Sequence, residues 1–140
     1  MDAFDADVLI YAAVPDHPLG RRVRALFSDE PPASTGAVAG MGSVLLIPEL
    51  LTKPIRDGQA SQIEALAALL ARLELRPTDT AIAELAAVLG ATYGLRAADA
   101  VHLATAVGAG ADRFITNNST DFARNIAEID VTYAADLPEP

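Results

Sequence analysis

The sequence predicts a three-layer α/β/α sandwich built around a mostly parallel sheet. Three observations lead there. Short apolar segments alternate with longer helical patterns along all 140 residues, and such alternation packs helices on both faces of a parallel sheet. Residues 113–115 turn apolar side chains, Phe114 and Ile115, to both faces and are too short for a helix, as buried parallel strands are. Polar residues gather where strands should end, at Asp5 and from Thr116 onward, and ligands collect at the carboxyl ends of strands in such sheets.

Each element has its own justification. Residues 2–6 are short and mixed, with Asp5 closing a first strand. Residues 8–13, VLIYAA, are apolar throughout, and pattern alone leaves strand and helix open. Leu19, Val23, Leu26 and Phe27 recur at helical spacing and predict a helix over 18–27. Residues 29–32 end it, because Pro31 and Pro32 cannot continue it. A short strand is expected over 34–39. Gly40 and Gly42 are expected to interrupt the chain before a helix over 43–52, where Pro48 is tolerated only in the first turn. Residues 60–73, rich in alanine and leucine, predict a strong helix, and 74–76 a short strand. A helix over 78–93 closes on Gly94 as its C-terminal cap. Residues 97–107 are helical and are followed by Gly108 and Gly110. After the strand at 113–115 come a brief helix over 119–126 and a last strand over 130–133.

Composition narrows the chemistry. A chain of this length is expected to form one domain spanning residues 1–140. It buries about two-thirds of its unfolded surface on folding, so no staple is needed. The absence of cysteine excludes disulfides, thiolate zinc sites and thiol catalysis. Two histidines in unrelated contexts argue against a zinc–histidine site. Without a signal-like N-terminus or an 18-residue apolar stretch, a soluble, cytoplasmic protein is expected, with no membrane partner. The net charge of −9 gives no overall attraction for nucleic acid. Dispersed acids can still converge in space, and oxygen clusters bind hard ions such as Mg²⁺ or Mn²⁺. Arg21, Arg22 and Arg24 form the one dense basic cluster; it is either a solvated helix face or a contact for a nucleic-acid backbone or acidic partner.

Several motifs invite chemical readings. Asp5 and Asp7 in FDADVLI resemble the nucleophile and acid/base pair of haloacid-dehalogenase-type phosphatases. That chemistry also needs a lysine and an acidic pair downstream, whereas the only lysine is Lys53, well upstream of Thr116. Asp7 reads more simply as a helix N-cap. Glu49 lies in the apolar GSVLLIPELL, where a buried carboxylate needs a partner; Lys53, one turn on, is a candidate. Asp99 in RAADAVHLATA either caps its helix or serves a site, and His102, one turn on, is more simply packed or hydrogen-bonded than catalytic. Taken together, Asp5, Glu49, Asp99 and Asp121 come from four elements. Carboxylates brought to about 4 Å repel by roughly 4 kcal/mol per pair at an effective dielectric of about 20. A divalent cation would neutralise them.

At this point the sequence resembles the PIN-domain ribonucleases, the family that includes VapC-type toxins of bacterial toxin–antitoxin pairs. FDADVLIYA resembles the opening in which an aspartate, here Asp5, ends the first strand, with Asp7 where the family usually has Asn, Thr or Ser. GSVLLIPELL places Ser43 six positions before Glu49, with Leu46 where a second hydroxyl is common. LRAADAVHLATA assigns the third acid to Asp99. DRFITNNSTDF resembles the terminal strand-and-loop motif. In one form of that loop the fourth acid would fall on Asn118; in another, Thr-x-Asn-x-x-Asp-Phe, it falls on Asp121, and TNNSTDF fits the second form.

The resemblance implies a PIN-like fold and Mg²⁺- or Mn²⁺-dependent hydrolysis of RNA, with Asp5, Glu49, Asp99 and Asp121 at the metal. Ser43, Thr116 and Asn118 would support the site, and Arg21, Arg22, Arg24, Lys53 or Arg56 would position RNA. It also implies a homodimer and a cognate antitoxin whose cationic side chain suits an acidic pocket. Two alternatives stay open: a PIN-fold binding module with weak or no catalysis, and a housekeeping RNA-processing nuclease without an antitoxin.

Overall fold

A computed structural model of the chain describes residues 1–27 and 38–140. The described residues form five strands and six helices in alternation: β1 (Asp2–Phe4), α1 (Ala6–Ala12), α2 (Pro18–Arg24), β2 (Gly40–Ser43), α3 (Leu46–Arg56), α4 (Ala60–Leu70), β3 (Leu73–Arg76), α5 (Thr80–Tyr93), α6 (Ala97–Gly108), β4 (Arg113–Thr116) and β5 (Asp130–Tyr133). A short 3₁₀ turn, Ala134–Asp136, follows. The sheet runs β3-β2-β1-β4-β5, and every pairing is parallel.

Strand alternation builds a core on each face. In β1 and β4, Phe4 and Ile115 pair in register and point one way, toward Val8, Leu9, Leu46, Leu50 and Leu66 of α1, α3 and α4. Ala3 and Phe114, also paired, point the other way, toward Leu89, Leu103 and Phe122. This is the expected three-layer sandwich, with α1–α4 on one face and α5–α6 on the other.

Sheet order fixes where a ligand can sit. The chain moves outward from β1 through β2 to β3, then crosses to β4 on the other side of β1. The switch point therefore lies between the carboxyl ends of β1 and β4, where the crevice of an open parallel sheet forms. Asp5 follows β1 and Asn117 follows β4 at that place.

Several sequence expectations need correction. Gly40 and Gly42 do not interrupt the chain; they lie within strand β2, and the following helix starts at Leu46 rather than Ser43. Both glycines serve close approach. A Cβ on Gly40 would meet the Asp2 carbonyl oxygen at 2.5 Å and the Phe4 ring at 2.6 Å, and one on Gly42 would meet Leu46 Cδ1 at 2.5 Å. Residues 119–126 form turns and bends, not a helix. The helix end at 29–32 and most of the strand at 34–39 lie outside the described residues.

Other expectations hold. Pro48 stands in the first turn of α3, although Pro54 is also accommodated inside that helix. Asp79, expected inside a helix over 78–93, is instead the N-cap of α5 and accepts the Ile82 N–H at 2.9 Å. Gly94 closes α5 in the left-handed region, at φ +68°. The open choice at residues 8–13 resolves to helix α1. Among the described residues no single helix is long and apolar enough to cross a membrane.

Candidate active site

Asp5 anchors the switch point. Its N–H donates to the Ile115 carbonyl at 2.9 Å, extending the β1–β4 ladder by one residue. Its Oδ1 accepts the Ala6 N–H at 2.8 Å, so Asp5, and not Asp7, is the N-cap of α1. Its Oδ2 accepts the Thr116 hydroxyl at 2.8 Å. Asp5 is 6% exposed and Thr116 fully buried. Burial pushes the Asp5 carboxyl above its ordinary range, against the Thr116 bond and the positive potential of His102.

The loop after β4 is tied back residue by residue. The Asn118 N–H donates to Thr116 Oγ1 at 3.1 Å. The Asn118 amide donates from Nδ2 to Asp121 Oδ2 at 2.8 Å, while its Oδ1 accepts the Asp121 N–H at 3.1 Å. The Phe122 N–H donates to the Asn118 carbonyl at 3.0 Å, and the buried Phe122 ring packs edge-on against Phe114 at 4.9 Å. Tyr133 donates its hydroxyl to the Phe122 carbonyl at 2.7 Å. These bonds take the place of the helix expected over 119–126. Asn118 closes a polar turn on its own loop, and Asp121 is delivered to the site by that turn.

Asp99 lies in the first turn of α6, whose N-cap is Arg96 without a side-chain bond. Asp99 thus does not cap its helix. Partial burial raises its carboxyl, and the charges of Asp5 and Asp121 raise it further. Glu49, in the first turn of α3, pairs with His102 rather than with Lys53: His102 Nε2 and Glu49 Oε1 are 3.0 Å apart. His102 is 2% exposed. Burial pulls its imidazole down, but the Glu49 bond and charge, with Asp5 and Asp99, outweigh that and raise it. The packed, hydrogen-bonded expectation for His102 holds, with Glu49 as its partner.

The four acids are thus electrostatically coupled; Asp5, Glu49 and Asp121 each have a hydrogen-bond partner, and Asp99 stands without a side-chain hydrogen bond among the described residues. Among the described residues, no three acidic or histidine side chains are arranged to hold a metal ion. Asp99 feels the charges of Asp5, Asp121 and Glu49, and Asp5 that of Glu49, so these acids repel one another. Their all-oxygen donor chemistry and the raised Asp5 and Asp99 carboxyls suit a hard divalent cation.

The supporting and basic residues divide. Ser43 is buried, and its hydroxyl accepts the Leu45 N–H at 3.1 Å, which shapes the turn into α3. Arg22 donates to the Ala135 and Leu137 carbonyls and pairs with Glu139. Arg24 donates to the carbonyls of Ala12, Val14 and Pro15. Both guanidiniums pin chain segments together. Arg56 pairs with its neighbour Asp57. Asp7 is the site residue that sequence reasoning undervalued. Its Oδ2 accepts the Asn117 N–H at 3.0 Å, and burial, then the Asp5 charge, push its carboxyl up to about 6.

A parallel α/β sandwich with coupled acids at its switch point is the class of protein that fold and site define. The PIN domain family model matches residues 3–127, and the chain belongs to that family. No curated protein matches the chain in sequence. Solved structures that share the fold include two of similar length to this chain. One is a toxin–antitoxin complex from Klebsiella pneumoniae, with 24% identity, a TM-score of 0.70, and coverage of 96% of this chain and 98% of that one. The other is VapBC2 from Rickettsia felis bound to a DNA fragment from its promoter, with 17% identity, a TM-score of 0.68, and coverage of 94% and 97%.

Proposed function

We propose that this PIN-domain chain is a Mg²⁺- or Mn²⁺-dependent endoribonuclease, the toxin of a toxin–antitoxin pair acting in the cytoplasm. The observation that carries this is the gathering of Asp5, Glu49, Asp99 and Asp121 around the β1–β4 switch point, where burial first, and the charge of neighbouring acids second, raises the Asp5 and Asp99 carboxyls. The family match supports it, and so does the likeness in fold to two toxin–antitoxin assemblies.

In this reading Asp5, Glu49, Asp99 and Asp121 hold the cation, directly or through water. When bound, it would neutralise the acids and the charge developing on the phosphodiester. Thr116 fixes Asp5, His102 fixes Glu49, and Asn118 fixes Asp121. Asp99 makes no hydrogen bond of its own among the described residues and is the acid available to orient a water against phosphorus. Of the basic residues named from the sequence, Arg21 and Lys53 make no ion pair among the described residues and Arg56 pairs only with its neighbour Asp57, so these three are offered to the RNA backbone ahead of Arg22 and Arg24, which hold main-chain carbonyls. A homodimer and an antitoxin presenting a cationic side chain to the acids complete the proposal.

The test is induction in growing bacteria, beside assays of the purified chain on RNA with Mn²⁺, Mg²⁺ or chelator. Growth arrest and metal-dependent cleavage are expected, both lost with Asp99→Asn. Saturable Mn²⁺ binding without cleavage would favour a binding module. Cleavage without growth arrest, and without a small DNA-binding protein encoded beside the chain, would favour a housekeeping nuclease.

A further inference from the structure

Asp7 stands two residues past Asp5, in the first turn of α1, and its side chain, which also feels the Val8 N–H of that helix, reaches beyond it. Oδ2 accepts the main-chain N–H of Asn117, the first residue after β4. Oδ1 is buried and has no hydrogen-bond partner. The neighbouring tie, Thr116 to Asp5, joins the same two segments one residue earlier. Consecutive residues 116 and 117 are thus fastened to Asp5 and Asp7, and two successive ties fix the direction in which the loop leaves the strand. The next residue, Asn118, holds Asp121 through its amide.

We infer that Asp7 is a positioning residue of this site, acting through the Asn117 backbone to aim the loop that presents Asp121 toward Asp5 and Asp99. One oxygen suffices for that role. The second is buried without a partner, which is a cost and not a gain. Asparagine keeps the accepting oxygen and puts an N–H donor where the unsatisfied oxygen lies. A ligand role needs the carboxylate; the anchoring role needs only the acceptor. The inference rests on the metal-site reading for its binding arm and stands without it for its backbone arm.

The experiment compares Asp7→Asn and Asp7→Ala in the full chain, with Asp121→Asn as the control for the metal site. Amide hydrogen exchange at Asn117 and Asn118 is followed without metal, and Mn²⁺ binding by calorimetry. Asp7→Asn should keep the exchange protection of the parent and its Mn²⁺ affinity within about threefold, whereas Asp7→Ala should expose both amides and weaken Mn²⁺ about 10-fold or more, the usual effect of losing a support behind a metal ligand. Equal losses in the two variants, or unchanged Asn117 exchange in Asp7→Ala, would overturn the inference. If Asp7→Ala does not fold, the Asn variant decides: parent-like affinity upholds the anchor, and a loss matching Asp121→Asn overturns it. If the parent binds no Mn²⁺, the metal reading fails, and the exchange comparison alone decides the anchor.

Discussion

The hydroxyl of Thr116 donates a 2.8 Å hydrogen bond to Oδ2 of Asp5, joining the ends of the two central strands. The Thr116 hydroxyl oxygen in turn accepts the Asn118 N–H. Thr116→Val keeps the shape and removes both bonds, leaving a buried carboxylate oxygen unsatisfied. The variant should lose about 1–3 kcal/mol of stability by urea denaturation, and Thr116→Ser should recover most of it. A Thr116→Val protein as stable as the parent would mean that this bond does not hold the strand ends together.

Asp99 faces the charges of Asp5 and Asp121. Removing its charge relieves repulsion that the metal-free fold must bear. Asp99→Asn should therefore raise the melting temperature without metal at pH 7.5, by about 3 °C for a gain of about 1 kcal/mol. The same change should abolish Mn²⁺-dependent stabilisation. Opposite signs with and without metal distinguish a ligand from a residue that merely packs. A drop in melting temperature without metal would remove the basis for the repulsion.

Raised carboxyl values make stability depend on pH. Asp7 moves from 3.8 to about 6, and Asp5 and Asp99 move in the same direction. A group raised in the folded state binds its proton more tightly there. Its contribution is fully present below the unfolded value and is lost as pH rises through the folded value. For Asp7 the window runs from about pH 4 to pH 7, and the effect is at most about 3 kcal/mol, less the share screened by solvent. His102, also raised, adds in the same direction. The groups facing this cluster are Glu49 and Asp121, both acidic, so neither reverses the sign. Thermal melts should show the metal-free chain more stable at pH 5 than at pH 7.5, and Mn²⁺ should reduce the difference by stabilising the ionised acids. Metal-free stability that climbs between pH 5 and pH 7.5 would contradict the burial of these carboxyls.

The parallel sandwich was legible because the apolar strands and alternating helices are local patterns. β2 was not. GMGS carries neither the β-branched nor the aromatic residues that mark strands, and its glycines answer to Phe4 and Leu46, which lie elsewhere in the chain. The four acids could be named from their motifs, but their partners could not. Glu49 has Lys53 one turn away in sequence and still pairs with His102, because α6 packs beside it in space. The sequence offers Asp7 as the cap before residues 8–13, whereas Asp5 caps α1. Only the parallel β1–β4 pairing, which brings Thr116 to Asp5 and Asn117 to Asp7, separates their roles.

The loop from Thr116 to Phe122 provides the sharpest division of labour. Asn118 occupies the place an acid takes in one form of the family's loop, and it makes two side-chain bonds to Asp121 instead. The two residues should fail differently. Asp121→Asn retains an oxygen for the Asn118 amide, so the turn should persist while Mn²⁺ affinity and cleavage fall. Asn118→Ala removes both bonds to Asp121. Its loop should exchange amide hydrogens faster at Asp121, and affinity should fall about 10-fold through misplacement of a ligand that is still charged. High Mn²⁺ should restore cleavage to Asn118→Ala, where the ligand remains, but not to Asp121→Asn, where it is gone. Full rescue of both variants would place Asp121 outside the metal site, and rescue of neither would give Asn118 a direct part in it.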